Sequence, residues 1–224
     1  MKKLLKIYFL IFIFLIFSTY NIKQNKNKEI YSFLFPIKEI FIENAQSTNL
    51  FELESDLSFL INKSLILLSK EKILSTMNKH DFISSVQLKK KYPNTLKIII
   101  FEKTPIATHI INKKKFYITK DNKKINFKNI KKYENLPSIF GNYKTFDIFY
   151  SNLEKNNFKT SEIKAYYFFD VGRWDILLKN GKIIKFPEKN YLDILPKINL
   201  MLEDNSFTKY KIFDFRINNQ LILE

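Results

Sequence analysis

Few residues in this sequence are equipped for chemistry, and none of them falls into a catalytic spacing. A catalytic metal needs imidazole and carboxylate ligands at set intervals, yet His80 and His109 stand apart, with no His-Glu-x-x-His run. His80 reads as a favourable charge near a helix end and His109 as a strand residue. Cysteine is absent, which excludes disulfides, thiolate catalysis and Cys-based zinc sites. Gly141, Gly172 and Gly181 fit neither a Gly-x-Ser-x-Gly elbow nor a phosphate loop, and Gly181-Lys182 lacks the upstream Gly and the following Ser or Thr. Asp170 with Asp175, or Glu203 with Asp204, would be the acid/base pairs of a wall hydrolase, but such a spacing of carboxylates has no specificity. The reading is a protein that is not an enzyme and takes no cofactor.

What remains is charge and aromatic surface. A formal net charge of +16 invites nucleic acid, anionic lipid or acidic protein as partner. Lys89-Lys90-Lys91 and Lys113-Lys114-Lys115 offer themselves to phosphates or headgroups, and Trp174, Tyr166 and Tyr167 to base stacking. The lysine excess, however, runs through the whole chain together with abundant Asn, Ile and Phe, as in proteins of AT-rich genomes. Solvated strand faces account for the lysine runs better than a nucleic-acid site does. Arginine, by contrast, is scarce, so each guanidinium stands out.

The elements that would position these residues begin with an apolar run. Leu4 to Tyr20 reaches the lower limit of about 17 residues for a spanning helix. Its strict apolar core, Ile7 to Phe17, is short enough for a signal-peptide core, but no A-x-A-like cleavage site follows. We read residues 1–6 as a short cytoplasmic tail, 7–20 as a transmembrane helix and 21–35 as a tether. Lysines flank the run on both sides and leave orientation open. The very short basic tail favours N-terminus inside, which exports the rest.

Ile37 to Glu43 reads as a strand. Phe51 to Leu60 and the segment after Ser69 read as helices, with Ser69 as cap. Pro93-Asn94 joins two strand-like runs, Ser85 to Lys91 and Leu96 to Thr104, as a hairpin. The order strand, helix, helix, strand, strand forms a small sheet covered on one face by two helices, an α+β unit over residues 36–104. Residues 105–224 are richer in strands. Phe116-Tyr117-Ile118 and Lys124-Ile125-Asn126 flank a hairpin turn, Phe146 to Leu153 is helical, and Asn180-Gly181 makes a second hairpin. Tyr191 to Glu203 is a helix that Pro196 must start or kink. Lys211 to Arg216 and Gln220 to Leu223 form a last strand pair around Asn218-Asn219.

Lys91-Tyr92-Pro93-Asn94-Thr95-Leu96-Lys97-Ile98 followed by Phe101-Glu102-Lys103-Thr104-Pro105-Ile106-Ala107 resembles the end of the POTRA domain in FtsQ/DivIB-type bacterial cell-division proteins. The stretch from Gly172-Arg173-Trp174-Asp175 through Asn180-Gly181 to Pro187 resembles the family's Arg-Trp-Asp segment, and Phe213-Asp214-Phe215-Arg216 its terminal Val-Asp-Leu-Arg. With the order of tail, apolar anchor, POTRA-like unit and β-rich unit, the resemblance covers nearly the whole chain. It implies an inner-membrane, single-pass type II scaffold at the division septum, with a POTRA domain and a mixed or antiparallel β domain in the periplasm. FtsK-like or other division proteins would meet the POTRA domain, and FtsB and FtsL the β domain.

In the family, FtsB adds a strand to the exposed edge at the end of the β domain. By motif position the contact residues would be Arg173, Arg216, Ile217, Asn219, Gln220, Leu221, Ile222 and Leu223. The two arginines would pair with acidic residues of the partner, or alternatively with their own Asp214 and Asp175. The sequence departs from the family at Ile217, where relatives often carry an aromatic residue, and at Asp81-Phe82, which replaces the usual Pro-Trp. A different membrane-anchored periplasmic POTRA protein, serving outer-membrane biogenesis or secretion, usually shows repeated POTRA units or a barrel. A membrane-anchored basic binder of anionic lipid or nucleic acid is the alternative from another class.

Overall fold

The computed structural model describes residues 34–217 and 220–224, together with Phe9 and residues 11–13. The run expected to cross a membrane therefore lies largely outside the described residues, as do most of the tether, Asn218 and Asn219. Among the described residues no helix is long and apolar enough to cross a membrane. The chain divides into two compact units, one ending at Glu102 and the other starting at Lys103.

The first unit runs β1 (Glu39–Glu43), α1 (Leu50–Leu57), α2 (Lys70–Met77), β2 (Ile83–Lys91) and β3 (Thr95–Glu102). Its sheet has the order β1-β3-β2, with β1 parallel and β2 antiparallel to the central β3. The period-two pattern of β3 decides the core, because Leu96, Ile98 and Ile100 face inward and meet Leu53 and Leu57 of α1 and Ile73 and Met77 of α2. Both helices start on side-chain caps. Asn49 accepts from the amides of Phe51 and Glu52, and Ser69 from that of Lys72. Leu34 and Phe35, which the sequence assigns to the tether, are already held by this unit: Ser64 donates to the Leu34 carbonyl and the Leu65 amide to that of Phe35.

The second unit contains β4 (Pro105–Ile111), β5 (Lys114–Thr119), β6 (Lys124–Asn126), β7 (Ser138–Phe140), α3 (Phe146–Lys155), β8 (Ile163–Phe169), β9 (Arg173–Leu178), β10 (Ile183–Lys185), α4 (Leu195–Glu203), β11 (Ile212–Asp214) and β12 (Ile222–Leu223). They form one nine-stranded mixed sheet in the order β12-β11-β10-β9-β8-β7-β4-β5-β6. Two parallel joints, β7 to β8 and β10 to β11, are the ones whose connections carry α3 and α4, as a parallel pair requires a crossover. Both helices pack on one face, where Ile139, Tyr166, Ile176, Ile184 and Phe213 line up strand by strand. Helix formation at Tyr191 begins as a 3-10 turn over Tyr191–Ile194 and becomes α-helical at Leu195, so Pro196 sits in the first turn, where its missing N–H leaves no bond unmade.

Candidate partner-binding site

The face of the large sheet opposite α3 and α4 carries a continuous row across six strands. Phe140, Tyr167, Asp175, Lys185, Asp214 and Ile222 are successive register partners from β7 to β12. Alternation along each strand puts them opposite the core row. Phe140 and Tyr167 stack, with ring centroids 4.9 Å apart. At the far end the row reaches β12, which closes the order of the sheet and, among the described residues, is paired on one side, to β11.

The chain's two arginines flank the charged centre of this row. Arg173, two residues before Asp175 on β9, donates from Nε to Asp175 Oδ1 at 3.1 Å and lies over the Phe169 ring at 4.3 Å. Arg216 donates from Nε to both oxygens of Asp214, at 2.8 and 2.9 Å, and from Nη2 to Oδ2, while its amide donates to Oδ1 at 3.0 Å. Lys185 Nζ stands 3.7 Å from the same carboxylate. Both arginines thus pair internally. Yet the Arg216 side chain remains 45% exposed, whereas Asp214 is buried at 5%.

The two carboxylates respond oppositely. The Arg216 guanidinium beside Asp214 holds its carboxyl below the usual range, against the cost of burial. Burial pushes Asp175 up, and Arg173 offsets only part of it. Three cations against two carboxylates leave this centre with one net positive charge when all are ionised.

The remaining expected contact residues divide. Ile222 and Leu223 form β12, with Ile222 on the open face and Leu223 packed on the core. Gln220 and Leu221 precede the strand, so the edge is shorter than the span from 220 to 223. The Asp214 side chain captures the Arg216 amide and ends β11 early, and the Gln220 amide turns back to the Ile217 carbonyl. Ile217, Gln220 and Leu221 instead border a recess of about 490 Å³ with Phe215 and Met201, which Lys189 and Lys197 also line. Asn219 lies outside the described residues.

Residues 35–103 match the family model of the FtsQ-type POTRA domain. Over 198 residues the chain is 28% identical to the cell division protein FtsQ of Rickettsia typhi, covering 85% of this chain and 73% of the relative. The FtsQ of Rickettsia prowazekii matches equally, at 28% over 72% of its length, and that of Rickettsia bellii at 29% over 200 residues. The chain thus carries an FtsQ-type POTRA domain and is similar over most of its length to FtsQ cell division proteins.

Several residues that carry the family resemblance prove to be architectural. Glu102 accepts from the amides of Gln46, Ser47 and Thr48 at 2.8 to 3.2 Å and so ties the loop before α1 to the end of β3. Trp174 is buried and stacks on Phe149 at 5.1 Å, and Tyr166 is fully buried, so neither ring is open to a base. Phe82, in place of the usual tryptophan, is buried in the first unit.

The groups weighed for catalysis are also accounted for. His80 Nε2 lies 3.0 Å from Asp56 Oδ2, and the buried His109 places Nδ1 2.9 Å from the Ile139 carbonyl oxygen. Glu203 pairs with Lys159, and Asp204 accepts from the Ser206 amide. Among the described residues no three His, Asp or Glu side chains converge as a metal site. Sequence reasoning missed Lys185 and Phe140 of the open face, and weighed Tyr167 only as a base-stacking ring. Only the sheet register reveals them, since the parallel joints that align them join strands far apart in sequence.

Proposed function

We propose that this protein belongs to the FtsQ family and is a non-enzymatic scaffold of the bacterial division complex that binds FtsB, and FtsL with it, by strand addition at β12. Its POTRA unit would meet an FtsK-like or other division protein. It would sit in the inner membrane through residues 7–20 with both units in the periplasm. The observation that carries the reading is the coincidence of the side of β12 that no described strand covers with the chain's two arginines on the same region of the sheet. An added strand takes up free N–H and C=O groups, and side chains fix its register. Asp214 holds the Arg216 guanidinium in a fixed orientation, so an acidic partner residue meets a pre-set fork rather than a mobile chain. The recess beside Ile217 and Leu221, where Lys189 and Lys197 outnumber Asp193 in the lining, suits an apolar partner side chain with acidic neighbours.

The test is binding of residues 29–224 to the periplasmic part of the FtsB homologue from the same cell. Micromolar or tighter binding, lost in Arg216→Glu and weakened in Arg216→Gln while Trp174 fluorescence stays native, supports the reading. Absence of binding by the unaltered protein refutes the assignment of the partner.

A further inference from the structure

The first unit carries a basic, apolar surface that the division-scaffold reading leaves unused. Three segments converge there: the chain entry at Leu34 and Phe35, the loop 61–67, and the β2–β3 turn. The Pro36–Ser64 bridge and the Ile37–Lys63 and Asn62–Ile37 backbone bonds join the first two. The Phe35 and Tyr92 rings meet edge to face at 4.9 Å, and Lys90 Nζ donates to the Ile66 carbonyl at 3.2 Å, which ties in the third.

Leu34, Phe35, Ile61, Ile66, Leu67 and Tyr92 remain 39% to 57% exposed on this surface. Lys38, Lys63, Lys90 and Lys91 are exposed among them, with Glu39 as the neighbouring acid. Apolar side chains ringed by lysines are the composition that seats a protein in the headgroup region of an anionic bilayer.

Position in the chain selects this occupant. The patch begins at Leu34, and only residues 21–33 separate it from the apolar run. Even fully extended, 13 residues reach about 45 Å, and a flexible chain of that length averages about 20 Å. We propose that this patch docks the first unit onto the anionic phospholipid surface of the membrane that holds the chain. Docking would fix the unit's orientation at the bilayer instead of leaving it to swing on a tether. The inference rests on reading residues 7–20 as a membrane anchor.

The chain has no cysteine, so one introduced thiol carries a fluorophore at a chosen site. The full chain is reconstituted in vesicles of phosphatidylglycerol with phosphatidylcholine, or of phosphatidylcholine alone, and quenched with iodide. We expect the fluorophore on Leu67→Cys to be shielded in anionic vesicles by at least about fivefold relative to neutral ones, the factor one lysine supplies at an anionic surface. The fluorophore on Lys164→Cys, in the other unit, should quench freely in both. Lys63→Glu, Lys90→Glu and Lys91→Glu combined should restore quenching at residue 67, with the circular dichroism unchanged. Free quenching at residue 67 with shielding of Phe12→Cys overturns the docking and leaves the anchor standing. Shielding that ignores lipid charge and the three substitutions also overturns it. Free quenching of Phe12→Cys and no flotation with the vesicles overturns the anchor and the docking together.

Discussion

Replacing Arg216 should weaken partner binding far more than it weakens the fold, and Asp214 should show the reverse. Arg216→Ala removes the bonds from Nε and Nη2 but keeps the backbone amide that caps Asp214. Lys185 remains 3.7 Å from the same carboxylate, so the charge is not stranded. Because the guanidinium is 45% exposed, solvent screens the lost attraction, and the cost is about 1 kcal/mol. Asp214→Ala removes the acceptor of all these bonds and leaves the first turn after β11 uncapped, at a cost of about 2 to 3 kcal/mol. At a urea dependence of about 2 kcal/mol per molar, the midpoints should fall by about half a molar and by more than one molar respectively. Trp174 is the only tryptophan and is buried in the second unit, so its fluorescence follows the unfolding of that unit alone. If Arg216→Ala costs as much as Asp214→Ala, the arginine is a structural staple. Loss of binding in Arg216 variants would then say nothing about an interface, and the reasoning fails.

Asp175 and Asp214 should also part with pH. The folded pKa of Asp175 is raised, so its charge opposes folding in full above that value, and Asp175→Asn should stabilise at neutral pH with a gain that shrinks as pH falls through the raised value and is gone below about pH 4, the unfolded carboxylate value. The folded pKa of Asp214 is lowered, so its contribution is complete above the unfolded carboxylate value and disappears as pH falls through the depressed one. Asp214→Asn should therefore destabilise at neutral pH and converge with the parent in acid, in urea titrations across pH. Gly141 has φ +87°, and a Cβ there would overlap the Phe168 carbonyl oxygen, while Gly181, at φ +86°, has open space around it. Gly141→Ala should cost about 3 kcal/mol or more and Gly181→Ala about 1, read from Trp174 fluorescence in urea. Glu102→Gln should cost about 2 kcal/mol in the first unit and raise amide exchange at Gln46 and Thr48, leaving the second unit unchanged.

The first unit was largely legible because its pairing is local. A single hairpin and two capped helices carry their own signals, and β1 has one parallel slot beside β3. The second unit was legible where strands meet across short turns, at β5–β6 and β9–β10. β7 has three residues, and β8 presents tyrosine and phenylalanine to both faces, so neither shows a clean alternation. Their parallel partners lie a helix away, and no local pattern encodes such a register. The same limit explains the site. Arg173 and Arg216 stood out by rarity, but that they share one face follows only from Lys185 pairing with both Asp175 and Asp214.

The shortness of β12 decides how a partner must be held. Two residues, Ile222 and Leu223, offer an added strand two or three backbone bonds, each worth about 1 kcal/mol net. Micromolar affinity needs about 8 kcal/mol, so the ladder alone falls well short. The deficit must come from side chains around the edge: the two arginines, exposed Ile222, and the recess at Ile217 and Leu221. A substitution that blocks the ladder, Leu223→Pro, should therefore weaken FtsB binding less than Arg216→Glu combined with Arg173→Glu, provided both variants keep native Trp174 fluorescence. Titration calorimetry of the two variants separates the contributions. Equal or greater loss from the ladder variant would mean that the backbone edge contributes at least as much as the arginine-bearing face, against this reasoning.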